Sequence, residues 1–119
     1  MKLLIVDDNA RVRRLIADFV APVAAEVIEC TDGTESLRAY QTHRPDAVLM
    51  DVAMRERDGI AATLEITAAH PAARVVIVTD YDDADLRDAA QAAGARAYVL
   101  KENLFELPGV LDRVIRERR

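Results

Sequence analysis

The sequence predicts an α/β fold, a doubly wound parallel sheet of five strands with helices on both faces, and three observations predict it. Short runs of consecutive apolar residues recur along the chain. Segments with helical spacing of apolar residues separate them. No Pro/Gly/Ser-rich linker interrupts the alternation.

Taken in order, the first strand is Leu3-Leu4-Ile5-Val6, and Val12, Leu15, Ile16, Phe19 and Val20 then follow helical spacing. Glu26-Val27-Ile28-Glu29-Cys30 mixes charge with apolar residues and suits an edge strand. Asp32-Gly33 marks the start of a second helix with a weak stripe through Leu37 and Tyr40. Ala47-Val48-Leu49-Met50 is the third strand, followed by a helix that starts at Asp58-Gly59 and carries Ile60, Leu64 and Ala68 on one face. Val75-Val76-Ile77-Val78 precedes a helix with Leu86, Ala89, Ala90 and Ala93. Ala97-Tyr98-Val99-Leu100 precedes the last helix, with Leu107, Val110, Leu111, Val114 and Ile115. Pro108-Gly109 places the start of that helix near Pro108, after an irregular turn. Apart from the edge candidate, each strand is apolar on consecutive residues, as strands covered on both faces of a parallel sheet are. Right-handed crossovers then give a three-layer fold.

At 119 residues the chain is expected to form one domain, residues 1–119, with no output domain, and 51% hydrophobic residues is ample for a core. A net charge of −5 argues against nucleic acid or an anionic membrane as a direct partner. The charged end Arg116-Glu117-Arg118-Arg119 reads as a solvated last helical turn, its arginines favoured by the helix dipole. A single cysteine, Cys30, forms no internal disulfide, and signal-peptide and membrane-span patterns are absent, so a cytoplasmic location is expected.

The residues that end the strands carry the chemistry: Asp7 and Asp8 after the first, Asp51 after the third, Thr79 after the fourth and Lys101 after the last. In a parallel sheet these ends share one edge, where open α/β sheets bind ligands. Two carboxylates about 4 Å apart repel by about 4 kcal/mol at an effective dielectric near 20, so three need a cation or protons among them. Magnesium, which takes one or two carboxylates plus waters and a phosphate oxygen, suits the set. Asp51, flanked by Met50 and Val52 at the end of a central strand, is the nucleophile toward a phosphoryl group. Asp7 and Asp8 read as a metal-holding pair, and Lys101 can reach both a carboxylate and a phosphoryl oxygen. His43 and His70 sit beside Arg44-Pro45 and Pro71 near helix ends, which suits surface or capping roles.

From Lys2 to Arg118 the chain resembles the receiver domain of bacterial response regulators. The matching elements are Leu4-Ile5-Val6-Asp7-Asp8-Asn9, Val48-Leu49-Met50-Asp51-Val52-Ala53-Met54 leading to Asp58-Gly59, Val76-Ile77-Val78-Thr79, and Gly94 through Lys101. The resemblance implies a flavodoxin-like strand order 2-1-3-4-5 and phosphorylation of Asp51. It implies Mg2+ bound by Asp8, Asp51 and the Ala53 carbonyl with Asp7 assisting, and phosphoryl oxygens held by Lys101 and Thr79. It also implies a relay from Thr79 to Tyr98 that reshapes the fourth helix, fifth strand and last helix. The implied donor is phosphohistidine on a histidine kinase or histidine phosphotransfer protein, and the implied readout is a downstream protein target or a homodimer through those last elements.

Several residues depart from the family pattern. Asp80 follows the switch threonine where a small residue is usual, and the run Asp80, Asp82, Asp83, Asp85 also suits a helix N-terminus. Arg55-Glu56-Arg57 stands where a proline is common. Glu102 replaces the proline after the family lysine, as in receivers that precede helix-turn-helix output domains, and leaves the isomer of the Lys101–Glu102 bond open. Two other functions compete. One is a receiver-like interaction module that works without phosphorylation, with Asp80 in its favour. The other is an aspartate-nucleophile phosphatase, which would need a second Asp two residues after the first, where Asn9 stands. A dinucleotide or flavin site lacks its glycine-rich loop.

Overall fold

In the computed structural model, which describes residues 1–54 and 58–117, the apolar runs form five parallel strands: β1 (Lys2–Val6), β2 (Glu26–Cys30), β3 (Ala47–Met50), β4 (Val75–Thr79) and β5 (Ala97–Leu100). Their order is β2-β1-β3-β4-β5, the doubly wound arrangement expected. The helices between them are α1 (Ala10–Val20), α2 (Ser36–His43), α3 (Gly59–Ala69), α4 (Ala84–Ala92) and α5 (Leu107–Arg116). Because successive side chains of a strand point to opposite faces, Leu3 and Ile5 join Ile16 and Val20 of α1 and Leu107, Leu111 and Val114 of α5 in one core layer. Leu4 and Val6 join Tyr40 of α2, Ala62 and Ile66 of α3 and Ala90 of α4 in the other. The chain order reverses at β1, so the crevice beside the carboxyl ends of β1 and β3 is the topological switch point.

Tertiary packing corrects four local readings. β5 pairs only with β4, at the edge that the expected strand order gives it. Of its residues only Val99 is buried, so its apolar run is covered less fully than those of β1, β3 and β4. The face of α3 that meets the sheet runs through Gly59, Ala62, Thr63 and Ile66, whereas Leu64 is 55% exposed; the close seat of Gly59 against β3 sets the helix rotation. On α1 only Ile16 and Val20 are buried, and Leu15 and Phe19 flank the contact in solvent. Asp32 does not begin α2: its Oδ1 accepts the N–H groups of Thr34 and Glu35 at 2.8 and 3.2 Å, a local turn that delays the helix to Ser36.

Other punctuation is as read. Asp58 caps α3, its Oδ1 accepting the Ala61 N–H at 2.8 Å; Asp58→Ala is expected to cost about 1 kcal/mol in urea unfolding, the usual worth of such a cap. Asp83 caps α4 and Asp85 lies in its first turn. Residues Lys101–Glu106 form 3₁₀ turns before α5, which carries Pro108 in its first turn, and the Lys101–Glu102 bond is trans. α4 ends in a Schellman motif, with Gly94 N–H bonded to Gln91 O and Ala95 N–H to Ala90 O, both 3.0 Å. Gly94 adopts φ +100°, where a side chain would be strained. Near the end, Arg116 pairs with Asp112 at 3.2 Å. Arg55-Glu56-Arg57 and Arg118-Arg119 lie outside the described residues.

Candidate phosphoacceptor and metal site

The site is built where the sheet ladder runs out. Asp7 N–H still bonds to Cys30 O at 3.1 Å and Asp51 N–H to Val6 O at 2.9 Å, so both carboxylates stand on backbone that the sheet holds rigidly. Asp7 is 1% and Asp51 5% exposed, whereas Asp8, one residue beyond the strand, is exposed. A carboxylate oxygen from each of Asp7, Asp8 and Asp51 lies within 4.8 Å of the others. Lys101 reaches in from the end of β5, with Nζ 3.1 Å from Asp7 Oδ2 and 3.2 Å from Asp51 Oδ1. Thr79, fully buried at the end of β4, accepts the Tyr81 N–H on its Oγ1 at 3.3 Å and keeps its own hydroxyl proton to donate. The topology thus brings Asp7, Asp8, Asp51, Thr79 and Lys101 to one edge. Ala53 is exposed two residues beyond Asp51.

Burial and the neighbouring Asp7 charge push the Asp51 carboxyl up to about 6, against the opposing pull of Lys101. Burial alone would lower the Lys101 ammonium, but Asp51 and Asp7 outweigh it and hold its pKa above the ordinary value. Three carboxylates against one ammonium leave a surplus of negative charge. Asp7 Oδ2 is buried, with the Lys101 ammonium 3.1 Å away. Three carboxylates, each offering an oxygen within 4.8 Å of the others with one ammonium among them, fit a hard divalent cation with oxygen ligands.

Three contributors escaped the sequence reading. Asn9 caps α1, its Oδ1 accepting the N–H groups of Arg11 and Val12, while its own N–H fixes Asp7 Oδ1 at 2.9 Å. Its place just before an amphipathic helix is a legible cap signal. Arg13 donates from Nη1 to the Asp7 carbonyl at 2.7 Å and from Nε to Glu29 at 2.8 Å, bracing the turn after β1. Nothing in the sequence marks it. Gly59 lies so close to the Asp51 carbonyl that any Cβ would strike it. The remaining candidates sit apart from the carboxylates. Asp80 is exposed and outside the three-carboxylate group; His70 packs against Tyr40 at 5.0 Å beside Arg44; and the His43 carbonyl accepts from Lys2. Cys30 is buried and unpaired in any disulfide, its Sγ donating to Asp32 O at 3.2 Å.

A five-stranded 2-1-3-4-5 sheet with acids at the ends of β1 and β3 and a lysine after β5 defines a class of signalling domain, and comparison with known proteins agrees. The model of the response regulator receiver domain matches residues 3–109, and the chain belongs to that family. It is 39% identical over 101 residues to the transcriptional regulatory protein PdtaR of Mycobacterium tuberculosis, a match covering 84% of this chain and 49% of that protein. The chain therefore spans about half the length of that relative. It is 32% identical over 113 residues to the chemotaxis protein CheY of Halobacterium salinarum, covering 95% of this chain and 92% of that one. Among solved structures, a LuxR-family two-component response regulator from Aurantimonas superposes with a TM-score of 0.91 at 30% identity, over 99% of this chain and 86% of that chain. Receiver domains are phosphoacceptor switches that bind Mg2+ at an acidic pocket and interact with histidine kinases or phosphotransfer proteins. Among the described residues no helix is long and apolar enough to cross a membrane.

Proposed function

We propose that this receiver is a phosphorylation-dependent switch in which Asp51 accepts a phosphoryl group from phosphohistidine on a histidine kinase or phosphotransfer protein. The observation that carries the reading is the convergence of three carboxylates within 4.8 Å with Lys101 Nζ 3.1 and 3.2 Å from two of them. An oxygen of Asp51 attacks phosphorus as the bond to the imidazole nitrogen breaks, leaving an acyl phosphate on Asp51 and a neutral histidine on the donor. Asp7, Asp8 and Asp51, with the Ala53 carbonyl, would hold Mg2+, whose charge would offset that of the phosphoryl oxygens. Lys101, balanced between Asp7 and Asp51, moves little to reach an oxygen of the transferred group, and Thr79 supplies a hydroxyl donor. Movement of Thr79 passes through Tyr98 to α4, β5 and α5, the surface a downstream protein or a second copy would read.

Two observations weigh against the competing functions. Asp80, the feature in favour of a phosphorylation-independent module, is exposed and apart from the three carboxylates. Asn9, where a phosphatase of this layered type would need its second Asp, serves as a helix cap.

Titration with beryllofluoride, a mimic of the phosphoryl group, in the presence of Mg2+ tests the switch. Thr79 and Tyr98 resonances are expected to shift at a stoichiometry of one, and exposure to a small phosphodonor is expected to give acid-labile phosphate. Silent spectra together with no labile phosphate would defeat the reading.

A further inference from the structure

We propose that Arg87 is a positioning residue for Tyr98, holding the tyrosine ring against α4. Two contacts converge on that ring and its hydroxyl, and a third aims the first. The guanidinium carbon of Arg87 lies 4.4 Å from the ring centroid, in cation–π range. The guanidinium is itself oriented by Asp82, whose Oδ1 accepts from both Nε and Nη2 at 3.2 and 3.1 Å. The Tyr98 hydroxyl donates to the Tyr81 carbonyl at 2.6 Å. Arg87 and Asp82 also lie on either side of the Asp83 cap, so the fork that aims the guanidinium is built into the start of α4.

The arrangement matters because α4 is weakly anchored. Ala90 is its only buried residue, against four in α3 and three in α5. A helix with so little buried surface opens or shifts at low cost, and the cation–π contact adds to the packing of Leu86 and Ala90 that joins it to the sheet. Residue 81 completes the connection through its backbone: its N–H rests on Thr79 Oγ1 and its carbonyl receives Tyr98. Its side chain is 52% exposed and takes no part. A displacement of the Thr79 hydroxyl therefore shifts the peptide that holds Tyr98, and Arg87 ties the same ring to α4. Burial raises the Tyr98 phenol pKa while the Arg87 charge opposes the rise, in keeping with this proximity.

The role of Arg87 in transmitting phosphorylation rests on the switch reading above, but its hold on Tyr98 does not. The full chain has three tyrosines, so 13C-tyrosine labelling resolves the Tyr98 ring directly. Arg87→Ala is expected to move the Tyr98 ring resonances and to lower the docked-to-undocked ratio about two- to five-fold, the range of an exposed cation–π pair. Arg87→Lys should restore part of the shift, since it keeps the charge and loses the planar fork. By linkage, Arg87→Ala should shift the beryllofluoride midpoint by up to the same factor, and should have no such effect in a Tyr98→Leu background, which has no ring to hold. Unchanged Tyr98 resonances in Arg87→Ala, or a full Arg87→Ala effect on the midpoint in Tyr98→Leu, would overturn the proposal. A wild-type protein that ignores beryllofluoride while Arg87→Ala still moves the Tyr98 ring would overturn the switch and leave the positioning role standing.

Discussion

Asp51→Asn is expected to stabilise the metal-free protein by about 2 kcal/mol at pH 7 while lowering phosphorylation by small donors at least about 1000-fold. The two effects have one cause. Asp51 is buried beside Asp7, and its pKa of about 6 stands well above the 3.8 of an ordinary Asp. Between those values the folded chain holds a proton that the unfolded chain has released, so stability falls as pH rises through that window and stays lower above it. Asparagine removes the ionisation and with it the penalty, but a neutral amide is no nucleophile toward phosphorus. Urea unfolding of both proteins from pH 4 to pH 7 checks the first effect. The advantage of Asp51→Asn should grow across the window, and an advantage independent of pH would contradict the electrostatic account. Adding Mg2+ should stabilise the wild type in proportion to RT ln(1 + [Mg2+]/Kd) and so narrow the gap, with a much smaller effect on the variant.

Gly59→Ala is expected to be severely damaging for a change of a single methyl group. A Cβ there would fall 1.8 Å from the carbonyl oxygen and 2.7 Å from the carbonyl carbon of Asp51, both backbone atoms that cannot rotate aside. Either α3 backs away from the sheet, stretching the 2.8 Å Gly59 N–H to Val52 O bond, or the end of β3 moves. We expect a loss of about 3 kcal/mol or more, and a melting temperature lower by about 10 °C for a chain of this size. Because the displaced peptide belongs to Asp51, phosphorylation should fall about 100-fold even in the fraction that stays folded, as a misplacement near 1 Å suffices for that. Gly109→Ala is the matched control. A Cβ in α5 at that position meets nothing within 4 Å, so the change should stabilise by about 0.5–1 kcal/mol through helix propensity. If thermal melts rank the two variants equally, close approach is not what Gly59 is for.

These variants separate what a linear reading can reach from what it cannot. Leu3–Val6, Ala47–Met50 and Val75–Val78 are legible as central strands because burial on both faces demands consecutive apolar residues. The polar residues that end them are legible as a site because parallel strands share an edge. Asp58 and Asp83 are legible as caps because the orphan N–H groups of a helix start require an acceptor at that offset. All of this depends on neighbours close in sequence or on the direction of the strands.

The gathering of Asp7, Asp8, Asp51, Thr79 and Lys101 at one sheet edge was therefore legible in the sequence alone, through periodicity and the residues that interrupt it, and the strand order and family through the resemblance that their motifs carry. Tertiary structure alone decided which face of α3 meets the sheet, how little of β5 is covered, with Tyr98 half-buried, that Arg13 braces Asp7, and that Arg87 reaches the Tyr98 ring. The physical reason is the same in each case. Helix rotation is set by the closest approach between elements, here a glycine against a carbonyl. Long arginine side chains choose partners by distance in space, which the local spacing of residues does not encode.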